Sequence, residues 1–122
     1  MLSNLQLIKN YGMDIDDCIN KDVLSPFDLI ETLVVRDSLE DDYNKLSIQE
    51  QLLLREYDEK LLAHAHEFYY ELSKVYNFNT TKPQNHWWTH IDKVVTGELI
   101  VDLYKREVRL KNSDELAATL TA

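Results

Sequence analysis

The chain predicts an all-α, single-domain helical bundle of four to five helices with one long central helix. Three observations carry that expectation. Glycine occurs only at Gly12 and Gly97 and proline only at Pro26 and Pro83, so turn chemistry is scarce over 122 residues. Two segments open with strong helix-capping patterns, Ser25-Pro26-Phe27-Asp28 and Ser47-Ile48-Gln49-Glu50. Apolar residues then recur at spacings of three and four from Leu54 onward.

The first element is expected from about Ser3 to Tyr11. Ser3 is a capping residue, Leu2 can staple onto Leu7, and Gly12 stands where a helix end wants a left-handed residue. The following Asp14-Ile15-Asp16-Asp17-Cys18-Ile19-Asn20-Lys21-Asp22 has the alternating acids of a calcium loop. It lacks the glycine at the sixth position, which is Ile19, and the bidentate glutamate at the twelfth, which is Ser25. A short acidic helix or loop is the better reading.

From Ser25 a helix should reach about Tyr43, with Phe27, Ile30, Leu33 and Val34 as its apolar face. Helical spacing carries that stripe on into Asp37 and Asp41, where the face leaves the core or holds a half-buried acid. From Ser47 good helix formers run to about Tyr76, with Leu54, Tyr57, Leu61, Ala65, Phe68, Leu72 and Val75 as one buried stripe. Such a helix would be about 45 Å long, against a diameter near 35 Å for a compact domain of this size. It should therefore overhang or kink, and an overhanging apolar stripe would invite a homodimer.

Beyond the Tyr76 to Pro83 connection, the Trp pair should open a helix through Val95, with Trp87, Trp88, Ile91, Val94 and Val95 on one side. Leu99, Val101 and Leu103 alternate like a strand, whereas Asp102 with Arg106 and Glu107 with Lys111 are helix-type pairs; the pairs favour helix from Glu98 to about Lys111. Residues 1–112 form the expected domain, and 113–122 a short helix capped by Ser113 or a frayed tail.

Composition excludes several function classes. The formal charge is −9, and between Asp14 and Glu59 the acids far outnumber Lys21, Arg36, Lys45 and Arg55. Phosphate would be repelled, so no direct nucleic-acid partner is expected and a basic protein partner is favoured, against the plain alternative of a solvated acidic face. An acidic inhibitor mimicking nucleic acid would be a special case. Two glycines cannot build a phosphate-cradling loop or a nucleophile elbow. Cys18 is the sole cysteine, so no internal disulfide or paired-cysteine motif exists. The opening residues lack a basic start with an apolar run, and no segment has the roughly 18 apolar residues of a membrane helix. A cytoplasmic location without membrane attachment is expected.

The histidines and tryptophans are the candidate site residues. His64 and His66 diverge by about 200° around one helix and cannot share a metal. His86 and His90, four apart, would share a side, the spacing of two-histidine metal sites. The glutamate of an HExxH motif is missing, so further ligands would have to come from His64, Asp37 or Asp41. The alternative function is thus a protein binding a divalent metal such as zinc, or a hydrolase built on it, through His86, His90 and His64. Trp87 and Trp88 read first as core anchors; one at the rim beside His86 would be a partner-binding hot spot, with Asp37 and Asp41 as acidic contacts.

The Ser25-Pro26-led helix, Leu46-Ser47-Ile48-Gln49-Glu50, Pro83, His86-Trp87-Trp88 and Asp92 together resemble small uncharacterised bacterial proteins, notably cyanobacterial ones. The resemblance covers about the middle two thirds of the chain. Its distinctive element is the Trp-containing segment, where other members have more aromatic residues at the positions of Thr89 and His90. It implies no activity and carries over no functional residue. The leading expectation is a non-enzymatic interaction module, an adaptor or regulator without a cofactor, that holds a basic protein partner through an acidic surface.

Overall fold

A computed structural model describes residues 2–21 and 25–111. The chain divides into two compact units between Asn77 and Phe78. The described residues are mostly helical, 65%, in the order α1 (Asn4–Asn20), α2 (Pro26–Asp41), a 3-10 turn (Tyr43–Lys45), α3 (Ile48–Ala63), α4 (Ala65–Leu72), a second 3-10 turn (Trp87–His90), α5 (Ile91–Thr96), β1 (Leu99–Asp102) and β2 (Glu107–Leu110). No helix among them is long and apolar enough to cross a membrane. The expected tail, 113–122, lies outside the described residues.

In the first unit three serines start three helices by the same device. Ser3, Ser25 and Ser47 each accept a backbone N–H of the first turn, while Gln6, Asp28 and Glu50 reach back to the serine N–H. Each reciprocal pair satisfies two donors that a helix start would otherwise leave orphaned.

Where α1 ends differs from expectation. Gly12 does not stop the helix, which continues through the acidic segment to Asn20 and closes on Lys21 in the left-handed region at φ 57°. Gly12 matters for packing instead, because a Cβ there would sit 2.4–2.6 Å from ring atoms of Tyr57 on α3. The missing side chain is the space that the Tyr57 ring fills, which lets α1 and α3 cross closely. α1 is also the organising helix, because it touches α2, α3 and α4. It buries Ile8, Tyr11, Ile15 and Cys18 along one face.

The face assigned to α2 is corrected as well. Its buried residues are Leu29, Thr32, Leu33, Arg36 and Leu39. Phe27 and Val34, placed inward by sequence, are 66% and 55% exposed. The helix is apolar on two sides, and the inner side includes an arginine that pattern reading counts as polar.

The long helix expected from Ser47 to Tyr76 is broken at His64, whose backbone (φ −118°, ψ 31°) leaves helical geometry between α3 and α4. The segment is thus two helices, α3 and α4, in place of one. Of the expected stripe, Leu54, Leu61, Ala65, Phe68 and Leu72 are buried, whereas Tyr57 and Val75 are half-buried. Asp58 joins it in the same register.

The second unit holds the remaining corrections. The Trp pair opens as a tight 3-10 turn before α5, with Thr89 N–H and Oγ1 both donating to the His86 carbonyl at 2.9 and 2.7 Å. Gly97, at φ 82°, ends α5. Glu98 to Lys111 is an antiparallel hairpin and not a helix, with Leu99 opposite Leu110 and Val101 opposite Val108. Asp102 Oδ1 accepts the N–H groups of Tyr104 and Lys105 at 3.1 and 3.0 Å, which nucleates the turn. Helix pairs four apart contribute only about 0.2–0.5 kcal/mol each, too little against that turn and the branched Ile100, Val101 and Val108.

Candidate functional site

Charge inside the first unit is gathered at one point. The Asp58 carboxylate on α3 receives Arg36 Nε at 3.0 Å and Nη2 at 2.9 Å from α2, and the Tyr11 hydroxyl at 2.6 Å from α1. Arg36 Nη1 also donates to Glu40 Oε1 at 3.1 Å. Tyr11, Arg36 and Asp58 are buried. Burial, and then the negative charge of Asp58, hold the Tyr11 phenol well above its ordinary value, so it stays a neutral donor. Burial is the largest single influence and works against the Arg36 charge, but the charge and hydrogen bonding of Asp58 together with the other neighbours, Glu40 among them, outweigh it and keep the guanidinium protonated.

This cluster joins three helices by directional bonds that a purely apolar core lacks. The sequence reading missed Tyr11, Arg36 and Asp58 as a set. A signal existed: Arg36 continues the register of Leu29, Thr32 and Leu33, and Asp58 stands between Leu54 and Leu61, so an acid and a base each occupied a core position on different helices. Nearby, Thr32 Oγ1 donates to Asp14 Oδ2 at 2.8 Å, and burial raises the Asp14 carboxyl above its ordinary value. Lys60 pairs with Asp16 on a more exposed side, a contact of little energetic consequence.

Of the predicted site residues, His86, Trp87 and Trp88 come together in the second unit. Trp87 and Trp88 are 3% and 1% exposed and meet edge to face, ring centroids 5.5 Å apart. Neither offers a rim surface. His86 stacks on Trp88 at 4.8 Å with 26° between the planes. His90 is buried, its Nε2 lying 3.0 Å from the Lys82 carbonyl. A carbonyl only accepts, so Nε2 carries the proton. His86 precedes the 3-10 turn and does not share a helix face with His90. His64, between α3 and α4, is part-exposed and faces Glu67 at 3.6 Å. Among the described residues no group of three or more histidine, cysteine, aspartate or glutamate side chains is placed to hold a metal.

The two predicted acidic contacts lie on α2. Asp41 is exposed and Asp37 half-buried. The outward side of the helix carries Phe27, Glu31, Val34, Ser38 and Asp41, at successive spacings of four, three, four and three, with half-buried Ile30 at its edge. Two of these five outward side chains, Phe27 and Val34, are large and apolar. Of the apolar face expected from sequence, Leu33 is buried and Ile30 half-buried, while Phe27 and Val34 face outward.

Comparison with protein-family models, curated proteins and solved structures finds no match.

Proposed function

We propose that this chain is a non-enzymatic protein-interaction module whose contact surface is the outward face of α2. One observation carries the reading: Phe27 and Val34 are each more than half exposed on a helix whose other side already supplies the core through Leu29, Leu33 and Leu39. A helix needs one apolar stripe to stay folded. The second stripe costs solubility, which is consistent with use as an anchor surface. Asp41, and Glu31 beside Val34, add acidic contacts to that anchor.

The test places a photo-crosslinking amino acid at position 27 and, separately, at position 70 on α4, where Tyr70 is also exposed, and irradiates intact cells of the source organism. The module reading expects one predominant protein adduct from position 27, diminished by Val34→Asp and absent from position 70. Equal labelling from both positions, or none from position 27, overturns it.

A further inference from the structure

We infer that the outward face of α2 receives a basic amphipathic helix; the inference rests on the interaction reading above and names the chemistry of its partner. The argument is one of charge. α2 carries five acids, Asp28, Glu31, Asp37, Glu40 and Asp41, and a single base, Arg36. That base is buried against Asp58 and Glu40. The outward face therefore presents Phe27, Ile30 and Val34 flanked by Glu31 and Asp41, with no cation of its own helix beside them.

Each class of occupant meets that face differently. A second copy docking α2 on α2 would bring Glu31 and Asp41 toward the same acids of its partner, with the one base of each α2, Arg36, buried against Asp58 and Glu40, and like charges across a contact select against it. Anionic lipid headgroups and nucleic-acid phosphates meet the same repulsion. A helix with apolar residues at i, i+3 and i+7 fits the row from Phe27 to Val34, and lysines or arginines flanking that stripe neutralise Glu31 and Asp41. The apolar row supplies the hold, and the flanking acids choose among apolar helices.

The experiment titrates the full chain with a synthetic leucine-lysine amphipathic peptide of about 18 residues, roughly five turns, and with a matched peptide in which every lysine is glutamate. The readouts are fluorescence anisotropy and amide shifts in two-dimensional NMR. The lysine peptide is expected to shift amides of Phe27, Glu31 and Val34, to bind at least tenfold more tightly than the glutamate peptide, and to weaken with added salt. Phe27→Ser with Val34→Ser, which keeps every charge, should lower its affinity at least tenfold. Should that variant lose its helical circular dichroism, Glu31→Gln with Asp41→Asn decides instead, through weaker binding and a flatter salt dependence.

Unchanged affinity in whichever pair decides, equal binding of both peptides, or shifts confined to other helices overturns the inference. Sedimentation showing self-association abolished by Phe27→Ser would make a second copy the occupant and also overturn it. If the peptide fails while crosslinks from position 27 persist, the basic-helix inference alone falls; if those crosslinks are missing too, the interaction module falls with it.

Discussion

Arg36 and Asp58 meet through two parallel hydrogen bonds, Nε to Oδ1 at 3.0 Å and Nη2 to Oδ2 at 2.9 Å, in the interior of the first unit. Planar fork on planar carboxylate is a geometry that only arginine supplies. Removing one partner strands the other charge away from water. Arg36→Met should therefore cost about 3–5 kcal/mol, and Arg36→Lys a substantial part of it. The triple variant Tyr11→Phe, Arg36→Met, Asp58→Leu, which removes every polar partner at Asp58, should regain most of that loss. Urea midpoints of the four proteins check this. A triple variant weaker than Arg36→Met would show that the cluster itself favours the fold.

The Tyr11 phenol gives an alkaline signature. Its folded-state value is raised, so its contribution is whole below the ordinary tyrosine value near 10 and is lost as pH rises from there toward the folded value. Cys18, pushed up by burial to about 11, acts in the same direction. Tyr11→Phe should cost about 1–3 kcal/mol at neutral pH by leaving Asp58 one donor short, and should show a shallower decline between pH 10 and pH 12 than the parent. Urea melts across that range measure both effects; parallel curves would place the alkaline loss elsewhere.

Gly12→Ala tests the close crossing of α1 and α3. Alanine is the better helix former by about 1 kcal/mol, yet its methyl would occupy the space of the Tyr57 ring. Thermal unfolding should show Gly12→Ala to be destabilising in the parent and stabilising when Tyr57→Ala is also present. Stabilisation in both backgrounds would mean that the ring moves aside at no cost.

Lys21 is a non-glycine residue in the left-handed region, closing α1 by donating its N–H to the carbonyls of Asp17 and Cys18. Lys21→Gly should stabilise the protein by about 0.5–1 kcal/mol, after allowing for the greater freedom of glycine in the unfolded chain. A rise in melting temperature without a change in helical content would confirm that the gain is local.

The helix starts were legible because a capping box is local: serine and its partner three residues on are both visible in four letters of sequence. The Leu54 to Leu72 stripe was legible because its period is regular. The facing of α2 was legible only in part: of Phe27, Ile30, Leu33 and Val34 it is Leu33 that is buried, and the inner stripe of Leu29, Leu33 and Leu39 carries Arg36. What settles the choice is Asp58 on another helix, 22 positions away. The hairpin was not legible because Asp102 with Arg106 and Glu107 with Lys111 also satisfy helical spacing, and the turn held by Asp102 leaves no periodic trace in the sequence. His86 and His90 were expected on one helix face, an inference from spacing alone that the 3-10 turn at Trp87 removes.

The central place of α1 sets the order in which a growing chain can fold. Tyr11 and Asp58 are 47 positions apart, and at about 5–20 residues per second a ribosome needs a few seconds to add that length. Throughout that interval Ile8, Tyr11 and Ile15 have no α3 to cover them, and the Cys18 thiol lacks the burial that later suppresses its ionisation. The newborn helix thus keeps its apolar face uncovered until α3 emerges, and its Cys18 thiol until α4 brings Glu67 and Glu71 up to it.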